Sequence, residues 1–147
     1  MKDSNWDIDL RAGLTGESRV ADLLSLDTVE VKTDRRWYET GNLYIETSCY
    51  YKASNSWEPS GMVVSKATHW AFLMEDMLLI IPMDYLRMAV YAHGKPITCN
   101  IPPNPSRGYL ITPAVLLEYT RLAKGEERAA HDAYESWSDP AEWEDPV

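Results

Sequence analysis

Glu30 and Lys32, two residues apart in Thr28-Val29-Glu30-Val31-Lys32-Thr33-Asp34, and Glu46, closing Gly41-Asn42-Leu43-Tyr44-Ile45-Glu46, have the types and spacing to hold a divalent cation beside an ammonium group. Both segments alternate as strands do: Val29, Val31 and Thr33 fall on one face, and Glu30, Lys32 and Asp34 on the other. In the second segment Leu43 and Ile45 alternate with Tyr44 and Glu46. With Arg35 to Gly41 as the connecting loop, the pair reads as an antiparallel hairpin. A loop centred at Tyr38 sets Glu30 opposite Glu46, and like charges directly opposite destabilise a ladder. A cation between the acids relieves that. The plainer reading is a strand pair with one charged, solvated face, and a slip of one residue would turn every side chain to the other side.

The preceding segment must carry a helix. Thr15 can cap it, Gly16-Glu17 begin it, and Val20, Ala21, Leu23 and Leu24 give it an apolar stripe. Val20, Ala21 and Leu24 lie three, four and seven residues after Glu17, which sets that carboxylate on the stripe. Glu17 then either complements the helix dipole or is aimed at the same point as Glu30 and Glu46.

The ordered set Asp7-Ile8-Asp9-Leu10, Gly16-Glu17, Val29 to Asp34, Thr40 to Glu46, Ser60-Gly61 and Ser65-Lys66-Ala67 resembles the phage-type PD-(D/E)XK nucleases. These belong to the restriction-endonuclease-like group, with Holliday-junction resolvases and RecB-type nuclease domains. The resemblance spans roughly residues 7 to 82, about half the chain. It implies a Mg²⁺-dependent phosphodiesterase whose acidic ligands come from a first helix and two adjacent strands. One departure matters. The motif places Glu-x-Lys on the later strand, whereas here Glu30-Val31-Lys32 comes first and Glu46 is followed by Thr47-Ser48. Asp27 stands too near Glu30 to be the acid of a separate strand. A lysine moved to the neighbouring strand accounts for the order.

On that resemblance Glu30 and Glu46 are direct ligands, and Glu17 acts through water or on a second ion. Mg²⁺ takes oxygen donors and keeps several waters, so two or three carboxylates suffice; Mn²⁺ substitutes. Lys32 orients or deprotonates the attacking water, or stabilises the developing charge. Asp34 is a weaker candidate, farther along the same face.

A chain of 147 residues with 45% apolar side chains is long enough for one real core and is not broadly disordered. Cys49 and Cys99 have no metal spacing and suggest a reducing compartment. His69, His93 and His131 are scattered. With no apolar run near the ~18 residues of a membrane helix and no signal-like start, a cytoplasmic protein without a membrane is expected. The net charge of −9 is awkward for a DNA partner, but from Gly125 onward eight acids meet one base, −7 of the total, which leaves −2 for the body. Residues 1–125 are therefore expected to form the nuclease-like domain, and 126–147 an acidic, Trp-containing flexible tail. That tail is either solvated or a docking segment for a protein partner or over the site.

Arg35-Arg36-Trp37-Tyr38 can meet a DNA backbone or unpaired bases, or can fold back with the arginines paired to Glu39 or the tail. Lys52, Lys66 and Arg107 can add phosphate contacts. Farther on, strands are expected at His69 to Glu75, Met77 to Ile81 and Tyr109 to Ile111. Helices are expected over Asp84 to Ala92 and from Thr112-Pro113 to Lys124, the latter with Val115, Leu116, Tyr119 and Leu122 as its stripe and Gly125 at its end. Ile101 to Pro105 must be a loop. The expected fold is α/β: one restriction-endonuclease-like domain, a small mixed sheet flanked by helices. The expected activity is a Mg²⁺-dependent DNA endonuclease, structure-selective in the manner of a junction resolvase and working as a homodimer. A RecB-like exonuclease, or a non-catalytic module docking a DNA-processing protein, is the alternative.

Overall fold

His69-Trp70-Ala71-Phe72-Leu73-Met74 is apolar almost throughout, the composition of a strand flanked on both sides. It forms the centre of a three-stranded sheet in the computed structural model, which describes residues 15–22, 25 and 28–137, with side chains through Asp132. The chain order is α1 (helical over 15–22), β1 (Val29–Thr33), α2 (Trp37–Thr40), β2 (Leu43–Tyr51) and β3 (Ser56–Pro59), then a 3-10 turn (Gly61–Val63). There follow β4 (His69–Met74), β5 (Met77–Pro82), α3 (Met83–His93), β6 (Lys95–Cys99), β7 (Ser106–Ile111) and α4 (Pro113–Trp137). The strands make two sheets, ordered β1-β4-β5 and β3-β2-β7-β6. The protein is thus mixed α/β. Among the described residues no helix is long and apolar enough to cross a membrane.

The expected hairpin does not form. β1 runs parallel to β4, with Glu30 beside Trp70 and Lys32 beside Phe72. β2 instead pairs antiparallel with β3 and β7. The cause lies between the two strands. Asp34 Oδ1 accepts the Arg36 N–H at 3.0 Å, the Thr40 hydroxyl donates to the Arg36 carbonyl at 3.0 Å, and Gly41 closes α2 at φ 70°. Such a capped helical turn redirects the chain where a hairpin loop would have returned it. Asp34 then joins the sheets: its N–H continues the β1–β4 ladder to Leu73, and its Oδ2 accepts the Tyr44 N–H at 3.2 Å.

Two further expectations are corrected. All described residues of α1 are exposed, Glu17 among them and Val20 at 54%, so no buried stripe shows among the described residues of this helix. Leu23, Leu24 and Asp27 lie outside the described residues, as do 138–147. Helix α4 does not stop at Gly125 but continues to Trp137, so the boundary drawn at 125/126 falls inside a helix. One interior Gly costs about 1 kcal/mol, and the good helix formers Glu126 to Ala130 on its far side offset that. The Thr112 cap holds, its hydroxyl accepting the Val115 N–H at 3.2 Å.

The core takes Leu43 and Ile45 from β2, Trp70 and Phe72 from β4, Leu86 and Val90 from α3, and Leu116 from α4, all 0–1% exposed. Tyr119 packs against it, while Val115 and Leu122, at 37% and 51%, face outward.

Candidate functional site

β1 turns its charged face inward. Val31 is 60% exposed, whereas the Glu30 and Lys32 side chains, at 36% and 37%, lie over the buried β4 residues with which they are in register. Lys32 and Glu30 form a close ion pair, and Lys32 Nζ also sits 4.8 Å from the centre of the Trp70 ring. The Ser65 hydroxyl donates to Glu30 Oε2 at 2.6 Å. Its oxygen accepts the Trp70 indole N–H at 3.1 Å and the Ala67 N–H at 3.3 Å. One donor and two acceptor positions are all that a hydroxyl offers, so Ser65 is fully used.

The second acid sits on the other sheet. Leu43 and Ile45 enter the core, which turns Tyr44 and Glu46 to the opposite face of β2. The β2–β7 register shifts between Glu46 and Ser48, and the Thr47 hydroxyl takes up the Arg107 carbonyl at 3.2 Å. Such a bulge re-aims nearby side chains. Ser60, itself buried, donates its hydroxyl to Glu46 Oε1 at 2.7 Å and its N–H to the Thr47 carbonyl at 3.0 Å. Gly61 follows at φ +52°, so close that a Cβ there would come within 2.3 Å of the Glu46 carbonyl oxygen. Only glycine fits that position without strain.

Ser60 and Ser65 belong to one segment, and Arg87 of α3 holds it. Arg87 Nη2 donates to the Ser65 carbonyl at 3.1 Å and to the Met62 carbonyl at 3.4 Å. A single loop thus reaches a carboxylate on each sheet.

Between the sheets is a cavity of about 670 Å³. Lys32 and Asp34 line it from β1 and its end, Tyr44 and Glu46 from β2, and Trp70 and Phe72 from β4. Arg35, Arg36, Thr40 and Asn42 line it from the linking turn, and Ile97, Cys99, Ile101 and Leu110 from the β6–β7 side. Burial pushes the Tyr44 phenol up to about 12, with Cys99 and Glu46 adding to the shift against a 2.8 Å hydrogen bond to Ser106. Tyr44 therefore keeps its proton at neutral pH. Burial also raises the Glu30 carboxyl, but the Lys32 ammonium and the Ser65 and Trp70 donors outweigh it and hold the group below the usual carboxylate range.

Of the residues expected at the site, Lys32 and Glu46 share the cavity with Arg35, Arg36 and Asp34, while Glu30 touches Lys32 from outside the lining. Glu17 is on the exposed α1, and Lys66 is exposed and outside the lining. The aromatic pair divides: Trp37 packs against the core, and Tyr38 is 63% exposed, its hydroxyl donating to Glu39 at 3.0 Å. Arg36 pairs with Glu39 at 3.4 Å. Arg87 and Ile97 carried no local signal. Ser60 and Ser65 were present in the resemblance, and their contacts give them a purpose: each holds one acid.

Among the described residues no three His, Cys, Asp or Glu side chains gather as a metal group. Of the two carboxylates in the cavity, Asp34 has both oxygens on backbone N–H groups, and Glu46 offers the oxygen chemistry that Mg²⁺ takes. Glu46 Oε2 has no hydrogen-bond partner among the described residues. No protein family, curated protein or solved structure matches the chain.

Proposed function

We propose that the protein is a divalent-metal-dependent deoxyribonuclease acting on phosphodiester bonds in the cavity between the two sheets. The observation that carries this reading is that Lys32 and Glu46, delivered by different sheets, line one cavity that Arg35 and Arg36 also line. The arginines are suited to bind the DNA phosphates. Glu46, with its open Oε2, would hold Mg²⁺, which when bound lowers the pKa of a coordinated water and neutralises phosphate charge. Lys32 stabilises charge developing on the phosphate or holds the attacking water. Glu30 keeps that ammonium in place through their ion pair, and Ser65 fixes Glu30. Structure-selective endonuclease action as a homodimer is the favoured form.

The test is incubation with Mg²⁺ or Mn²⁺ and duplex, single-stranded, flap and four-way-junction DNA. Cleavage is expected, and Lys32→Ala and Glu46→Ala should abolish it while the far-UV spectrum stays unchanged. Cleavage retained by both variants would sink the assignment. A non-catalytic module of the same fold is the second reading. Its support is that Lys32 and Ser65 already occupy the Glu30 carboxylate; absence of cleavage on every substrate with either metal would favour it.

A further inference from the structure

The lining of the central cavity is mixed. From β1, β2 and the turn between them come the cations Lys32, Arg35 and Arg36 and the carboxylates Asp34 and Glu46. From β6, β7 and the loop between them come the apolar Ile97, Ile101 and Leu110. Ile97 is 36% exposed and Ile101 62%. Apolar side chains left open beside a cationic group need a ligand with both characters. Asn42 stands in the same lining, and its side-chain oxygen can accept from a polar edge. At about 670 Å³ the cavity lies within the range of small-molecule sites, roughly 300–1,000 Å³.

A nucleotide combines an anionic phosphate with a flat base whose faces are apolar and whose edge is polar. In a duplex those faces are stacked and unavailable, so a duplex can satisfy only the charged side. We infer that the cavity takes one unpaired, unstacked nucleotide of a DNA strand: its phosphate against Arg35 and Arg36, its base against Ile97, Ile101 and Leu110. This rests on the reading of the cavity as a DNA phosphodiester site and names its substrate class, namely strands with unpaired nucleotides such as ends, flaps and junction arms.

Binding without divalent metal tests it apart from chemistry. A short single strand carrying one 2-aminopurine and the same strand in a duplex are titrated in EDTA, with 2-aminopurine fluorescence and anisotropy as readouts. The single strand should bind roughly tenfold more tightly than the duplex, the scale of one base contact. Ile97→Ala with Ile101→Ala should remove that advantage and leave duplex binding unchanged. Both positions are at least a third exposed, so folding is not at risk, and a thermal melt checks it. Arg35→Ala with Arg36→Ala should weaken both ligands. Equal affinity for the two, or an undiminished preference in the isoleucine variant, overturns the inference. So does competition by free dAMP as effective as by the strand, which would mark a mononucleotide pocket. A preference for the single strand with no cleavage under any metal would instead discard the nuclease reading and keep the base pocket.

Discussion

Glu30 and Glu46 both project from strands and both accept a hydrogen bond from a serine of the same loop, yet their situations differ. Glu30 is enclosed by an ammonium, a hydroxyl and, through that hydroxyl, a buried indole. Glu46 has one oxygen on Ser60, and its side chain lines the cavity. Ionised carboxylates that are fully partnered organise their neighbours, whereas one with an open oxygen can take a ligand. Two acids that resemble each other in sequence thus divide into one with both oxygens partnered and one with an oxygen left open.

The sharpest way to break that division is to neutralise each acid in turn. Glu46→Gln should reduce metal-dependent cleavage by about 10²–10³-fold, the scale of losing one electrostatic participant. Glu30→Gln should cost less, since Lys32 remains, and should leave the apparent metal affinity in a titration nearly unchanged. Equal losses, with equal shifts in metal affinity, would abolish the distinction. A smaller effect separates the two serines. Ser65→Ala strands the N–H of Trp70, a residue 1% exposed, and should lower unfolding free energy by about 1–3 kcal/mol in urea. Ser60→Ala should cost nearer ~1 kcal/mol, because its partner Glu46 can turn to water in the cavity. The smallest effect is in pH. The Glu30 carboxyl is held low in the folded protein, so its contribution is complete above the ordinary carboxyl range and is lost as pH falls through that range towards the lowered folded value. The stability of wild type should therefore fall more steeply with acidification than that of Glu30→Gln, as read from urea midpoints. Parallel curves would mean that the ion pair contributes nothing in solution.

Much of the scaffold was legible because it is local. The apolar runs of β4 and β5, the helix α3 and the cap of α4 are all written within a few residues of themselves. The partner of β1 was not. Alternation marks a strand but carries no record of its neighbour, and β1 finds its partner in β4, far along the chain. Alternation also leaves open which face turns inward: Val31 is 60% exposed, whereas Glu30 and Lys32 are half-buried. β6 was missed because Pro96 interrupts its pattern, which an edge strand tolerates. Lys32 and Glu46, singled out by residue type and spacing, both line the cavity. Arg87 could not be, because its contacts are backbone carbonyls 22 and 25 residues away.

The parallel pairing of β1 with β4 also bears on the order of folding. The Thr28 and Thr68 hydroxyls that meet at the start of this pair are separated by 40 residues, whereas β4 and β5 meet through the two-residue turn Glu75–Asp76. Closing the longer loop carries more entropy cost, and distant pairings form slowly. The β4–β5 and β2–β3 hairpins are therefore expected to assemble before β1 docks. Lys32 enters the cavity only with that docking, so a chain still being synthesised cannot complete its charged wall until residues beyond Met74 are available.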